Sequence, residues 1–226
     1  MLFIYRFLIN VIFILSPLII IIRLLKKKED FQRFSEKLCF FSKKRKGGKV
    51  IWFHGASVGE LKSIIPILEK LKKNKKVSQI LITSNTLSSS KIIDKLKIKK
   101  ITHQFFPIDT NFYSRKFINY WKPSTVFFID SEIWPNMLTN LNQKGIPTIL
   151  LNGRITKKTF LRWKQFNFFS KKIFSNFDLC LSSDKLSKNY LKKLGAKNVK
   201  YIGNLKFSQS IDEEIKDEKK NEKIFF

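Results

Sequence analysis

Two carboxylate-bearing turns carry the chemistry of this sequence. In the first, the apolar run Val50-Ile51-Trp52-Phe53 passes through His54-Gly55-Ala56 into Ser57-Val58-Gly59-Glu60, which sets a glutamate in the first turn of a helix that follows a strand. In the second, Asp130-Ser131-Glu132-Ile133-Trp134-Pro135 follows the apolar run Thr125–Ile129. Ligands of parallel α/β sheets bind beyond the carboxyl ends of the strands, so Glu60, Asp130 and Glu132 lie where acid–base chemistry on a polar substrate takes place. Asp109, just after Pro107, and Arg154, after Asn152-Gly153, fall at the same edge.

Each of these residues also has a plainer reading. Ser57-x-x-Glu60 matches a capping box, in which the serine bonds the N3 amide and the glutamate reaches back to the N-cap amide. Capping does not require Gly55 or Gly59, and a glycine in a first turn costs about 1 kcal/mol relative to alanine. Small residues there let another molecule approach the backbone, and the free amides of that turn could hold an anionic group. Asp130 or Ser131 could cap the second helix, where Pro135 is tolerated because the first amides have no intrahelical acceptor. Trp134 is either core packing or a stacking wall for a sugar.

Composition narrows the function classes. The formal net charge is +28, mostly from lysine, 38 Lys against 7 Arg, which predicts attraction to polyanions such as an anionic membrane surface. No arginine cluster or RNA-binding aromatic motif accompanies it, so no nucleic-acid partner is expected. Cys39 and Cys180 stand far apart with no metal-ligand spacing, as do His54 and His103. No metal site is expected, and a reducing compartment fits.

The elements that must position these residues alternate. Strands are expected at Val50–Phe53, Gln79–Thr83, Ile101–Phe106, Thr125–Ile129, Thr148–Asn152, Leu179–Ser182 and Val199–Ile202. Helices are expected at Leu61–Lys73, Ser88–Leu96, Ser114–Trp121, Glu132–Lys144, Phe160–Phe174 and Lys185–Leu194. Such alternation means βαβ units, a Rossmann-like parallel sheet with flanking helices. Ahead of it, Phe7–Ile22 is apolar except for Asn10 and Ser16 and is followed by Arg23, Lys26, Lys27 and Lys28, the pattern of an uncleaved membrane helix with its bulk on the cytoplasmic side. Spanning and half-inserted placements both remain open. The expected organisation is an anchor over 1–28, an α/β domain over 29–207, and a charged tail over 208–226.

The motifs together resemble a known family. His54-Gly55-Ala56-Ser57-Val58-Gly59-Glu60, Phe106-Pro107-Ile108-Asp109, Asp130-Ser131-Glu132-Ile133-Trp134-Pro135-Asn136, Pro147 through Arg154-Ile155-Thr156, and Gly203-Asn204-Leu205-Lys206-Phe207 resemble, in order and spacing, the signatures of 3-deoxy-D-manno-octulosonic acid (Kdo) transferases. The resemblance implies the N-terminal half of a GT-B glycosyltransferase on the cytoplasmic face of the inner membrane. Such an enzyme moves Kdo from the donor CMP-Kdo to a lipid A precursor (lipid IVA), inverts the anomeric centre and carries no cofactor.

By the same resemblance Glu60 is the catalytic base, Glu132 the second essential carboxylate, and Lys206 the lysine of the segment leaving the N-terminal domain. His54, Gly55, Ser57, Gly59, Asp109, Asp130, Trp134 and Arg154 line the acceptor-side cleft. Asp130 departs from the pattern, since the family usually has glutamate there. The resemblance also implies a second, CMP-Kdo-binding domain that lies beyond this sequence. A non-catalytic, membrane-attached lipid-glycan binding module is the alternative reading.

Overall fold

A computed structural model describes residues 1–96 and 98–205; Lys206 and the expected tail over 208–226 lie outside them. Seven parallel strands form one sheet: β1 (Val50–His54), β2 (Gln79–Ser84), β3 (Ile101–Phe105), β4 (Thr125–Ile129), β5 (Thr148–Gly153), β6 (Leu179–Ser182) and β7 (Val199–Tyr201). Their order is β3-β2-β1-β4-β5-β6-β7. The chain therefore winds outward one way from β1, then returns to pair β4 on its other side, with His54 opposite Phe128. That reversal between β1 and β4 is the topological switch point, where an α/β sheet leaves a crevice.

The strands form where continuous β-branched and aromatic runs can be buried on both faces. Val50 and Trp52 point into one core with Phe117, Phe128 and Leu138, while Ile51 and Phe53 point into another with Leu61, Ile64 and Leu68. All five residues of β1 are buried.

Eight helices follow the strands: α2 (Val58–Ser63), α3 (Ile65–Lys73), α4 (Leu87–Lys95), α5 (Asn111–Trp121), α6 (Pro135–Gln143), α7 (Lys157–Lys164), α8 (Asn167–Phe174) and α9 (Lys185–Leu194). Two expected helices are broken in two. The first breaks at Ile64, because Pro66 has no N–H and its ring conflicts with the carbonyl four residues earlier. The second breaks at Phe166, which leaves helical geometry at φ −112° and ψ 51°. The second motif's helix starts at Pro135 rather than Glu132, which leaves Glu132 in a turn.

Before the sheet, α1 (Leu2–Leu25) is 24 residues long and apolar enough to cross a bilayer. A short 3-10 helix, Phe34–Leu38, follows it. Its Glu36 is fully buried, taking Arg33 and the Phe105 amide, and so ties this entry segment to β3.

Candidate active site

β1 and β4 set Glu60 and Glu132 on the two sides of the switch-point crevice. Glu60 sits in the first turn of α2. Ser57 is the N-cap, with its Oγ accepting from the Glu60 amide at 3.3 Å. The glutamate turns back, accepting from Ser57 Oγ at 2.7 Å and from the Ala56 amide at 2.8 Å. The capping box therefore forms, shifted by one residue: Glu60 takes the amide before the N-cap, not the N-cap amide. Two of the amides expected to hold an anion are thereby occupied by the chain's own oxygens.

Of the two glycines, only Gly59 leaves room for a ligand. A Cβ at Gly55 would lie 3.1 Å from Leu61, 3.2 Å from Ile129 and 3.3 Å from Glu60, whereas one at Gly59 would meet nothing within 4 Å. Gly55 thus serves internal packing, contrary to the expectation of ligand approach there.

Glu132 is held by a buried relay. Trp52 Nε1 donates to Thr83 Oγ1 at 2.8 Å, and that hydroxyl lies 2.9 Å from His54 Nδ1. His54 Nε2 lies 3.1 Å from Glu132 Oε2, and because a carboxylate only accepts, it is Nε2–H that donates there. The Trp134 indole N–H donates to the same oxygen at 2.8 Å. His54 is fully buried and stacks on Phe106 at 3.9 Å between ring centroids. Thr83 and Phe106 were not singled out as site residues; their roles depend on neighbouring strands, which no local motif displays.

The two carboxylates are pushed in opposite directions. Burial raises Glu60 above the ordinary carboxylate range, and the charges of Glu132 and Asp130 add to this against the bonds from Ser57 and Ala56. Burial also works on Glu132, but the hydrogen bonds it accepts from His54 and Trp134 outweigh it and leave Glu132 below that range. A paired acid and base with divergent basicity is a recurrent catalytic arrangement.

Asp130 ends β4 with φ +62°, a left-handed conformation that aspartate tolerates better than most residues. Its amide donates to the Leu151 carbonyl and its carbonyl accepts from the Arg154 amide, so it closes the β4–β5 edge. Asn152, at φ +56°, lies one residue before the end of β5, where the pairing with β6 shifts register, and its Oδ1 accepts from the Leu205 amide. The Arg154 side chain is exposed. Against a burial penalty, the Asp184 carboxyl is held low by Ser187 and Ser183, with help from the Arg154 charge.

Asp109 has a different task from the one expected. It is 1% exposed, so no acceptor reaches it. Its carboxylate accepts from the Asn136 amide at 3.0 Å and the Met137 amide at 2.8 Å, capping α6, and from Tyr5 Oη at 2.8 Å. The cap of α6 is thus neither Asp130 nor Ser131; Trp134 occupies the N-cap position, and its side chain makes no capping bond. Burial raises the Asp109 carboxyl to about 7 in spite of those donors. Cys39 and Cys180 are buried free thiols, each pushed up by burial to about 12, which makes them poor nucleophiles. Among the described residues no group of three or more His, Cys, Asp and Glu side chains comes together to hold a metal.

The family model of the 3-deoxy-D-manno-octulosonic-acid transferases (kdotransferase) matches residues 32–209, which include both carboxylate turns. The chain belongs to the Kdo transferase family. It is 35% identical over 199 residues to the 3-deoxy-D-manno-octulosonic acid transferase of Rickettsia bellii (strain RML369-C), a match covering 87% of this chain and 47% of that protein. It is also 35% identical to the probable mitochondrial 3-deoxy-D-manno-octulosonic acid transferase of Arabidopsis thaliana, over 71% of this chain and 37% of that one. The Kdo transferase domain described here thus spans about half the length, or less, of these curated relatives. Among solved structures, a UDP-N-acetylglucosamine 2-epimerase superposes with a TM-score of 0.52 at 12% identity, over 70% of this chain and 49% of its own. The epimerase of Neisseria meningitidis bound to UDP-GlcNAc gives the same TM-score at 14% identity, over 70% and 47%. At that identity the likeness is one of fold, a Rossmann-like domain.

Proposed function

We propose that this domain binds the lipid A precursor and supplies the base for transfer of Kdo from CMP-Kdo. The observation that carries this reading is the pair of carboxylates at one crevice with oppositely shifted basicity. Glu60 takes the proton of an acceptor sugar hydroxyl as that oxygen attacks the anomeric carbon of Kdo. The bond from that carbon to the phosphate oxygen of CMP breaks on the opposite face, so the centre inverts and CMP leaves with the electron pair. A raised carboxyl is the better base of the two. Glu132, kept ionised by His54 and Trp134, stabilises positive charge developing on the sugar ring or orients the acceptor. The open space at Gly59 is where the acceptor approaches Glu60.

The donor is held by a second Rossmann-like domain of the GT-B type, and no resident cofactor takes part. The domain works at the cytoplasmic face of the inner membrane, where α1 attaches it and its cationic surface meets phosphorylated, amphipathic acceptors. Each basic residue near anionic lipid is worth about 1 kcal/mol there.

The test is Glu60→Gln in a protein completed with the donor domain of a related family member. Glutamine still accepts the Ala56 amide, so stability barely changes. Turnover falls at least ~100-fold if Glu60 is the base; near-normal turnover returns Glu60 to a capping role.

A further inference from the structure

The composition of α1 is that of a spanning helix, but its packing is not. The positions with reduced exposure are 2, 5, 6, 9, 13, 16, 20, 23 and 24. Steps of three and four make one continuous stripe along the whole helix. That stripe lies on the domain and is tied at both ends.

At the N-terminal end Tyr5 Oη donates to Asp109, Arg6 Nε donates to Asn136 Oδ1 at 2.9 Å, and Arg6 Nη2 donates to Asn111 Oδ1 at 3.1 Å. Midway, Phe13 sets its edge on Tyr113 at 5.3 Å. At the C-terminal end Arg23 pairs with Glu29, which also holds Lys37 Nζ at 2.6 Å, and the Lys37 carbonyl accepts from the Ile108 amide. Arg6 and Arg23 are roughly 26 Å apart along the helix at ~1.5 Å per residue, close to the ~30 Å hydrocarbon thickness. In a spanning helix Arg6 would stand across the bilayer from Asn136. The two arrangements exclude each other.

We propose that α1 lies in the plane of an anionic bilayer surface, sandwiched between the domain and the acyl chains, with the N-terminus on the domain's own side. This rests on the reading that the domain works at a membrane. It explains why so apolar a helix carries Tyr5, Arg6, Ser16 and Arg23: all four fall on the docked stripe, where protein serves them in place of water, and of the polar residues of α1 only Asn10 is on the open face. The rest of its circumference is open, with Phe3 81%, Ile14 73% and Leu25 79% exposed. An apolar surface of this extent marks an interaction site.

Exposed aromatics extend it beyond α1. Phe112 is the chain neighbour of Tyr113, and Phe168 of Phe169, the ring that meets Tyr5 at 6.3 Å. Charge selects the occupant. Lys26, Lys27 and Lys28 follow α1, and Lys171 and Lys172 end the helix that carries Phe168. A second copy of a chain at +28 would repel this one, whereas anionic headgroups flanking an apolar face attract it. The in-plane seat also brings the start of α6, and the Glu132–Trp134 turn before it, to the surface where a lipid acceptor presents its headgroup.

Three measurements on the full chain test this. An N-terminal protease-cleavable tag, with the chain in the inner membrane of a Gram-negative host, should resist protease added to spheroplasts and be cut in inverted vesicles. Cutting in spheroplasts overturns the in-plane seat while leaving membrane attachment intact. In a Phe13→Cys, Tyr113→Cys variant the two introduced thiols should be joined within one chain by a short bifunctional thiol reagent in those membranes, and failure with both thiols reactive also overturns it. Purified protein should sediment with phosphatidylglycerol-containing vesicles in 1 M salt. Sedimentation with native membranes but not with these vesicles means that a protein covers the face and overturns the lipid assignment. Release from native membranes by salt alone means instead that the membrane reading itself fails.

Discussion

At the residue scale, protonation decides what each carboxylate can do. Glu60 is raised by burial and by its acidic neighbours, so the base form is lost as pH falls through a value above the ordinary glutamate ~4.3. The acid limb of kcat/KM in the completed enzyme should therefore lie above that value. A limb at or below it assigns the base elsewhere. Asp109 gives a stability signal of its own. Its carboxyl is raised to about 7 in the fold against ~3.9 in an unfolded chain, so between those values the folded state binds more protons. Its contribution is present below about pH 4 and is lost as pH rises through about 7. Urea midpoints at pH 5 and pH 7.5 should show that fall, and Asp109→Asn, neutral at both, should diminish it. An equal fall in the variant would trace the pH dependence to another group.

At the element scale, the turn from β1 into α2 divides its two glycines between packing and access. Gly55→Ala puts a methyl against Leu61, Ile129 and Glu60, an overpacking that costs about 1–3 kcal/mol and displaces Glu60. Gly59→Ala adds a methyl in open space within a helix and should stabilise by about 0.5–1 kcal/mol. If the acceptor approaches there, the same change raises KM for the acceptor. Thermal melts and acceptor titrations separate the two effects, and a Gly59→Ala protein of unchanged KM would move the acceptor away from this turn. The strands were legible because runs such as Thr125–Ile129 and Leu179–Ser182 hold four and three apolar residues in succession; both match the expected bounds. The break before Pro66 was also written in the sequence, in a residue that cannot continue a helix. That at Phe166 has no proline or glycine to announce it.

At the scale of the whole molecule, the proposed membrane attachment rests on two forces that differ in their response to salt. Lysine attraction is screened over about 10 Å at 0.1 M, while burial of the open face of α1 is not. Anionic lipid should raise the vesicle affinity of the full chain, and salt should remove that increment without releasing the protein. Equal binding to neutral and anionic vesicles would leave the lysines no part in it.

Strand burial and turn chemistry are written in short runs of residues, so the parallel α/β domain, the two carboxylate turns and the family were legible without coordinates. What surrounds each carboxylate was decided only by tertiary structure. The β1–β4 pairing brings His54 to Glu132, β2 supplies Thr83, and Asp109 caps a helix that begins 26 residues later, at Pro135. Hydropathy likewise marked α1 as a membrane helix but left its placement open. Spanning or lying flat depends on whether Tyr5 and Arg6 find partners on the domain, and only the folded chain brings Asp109, Asn111 and Asn136 within their reach.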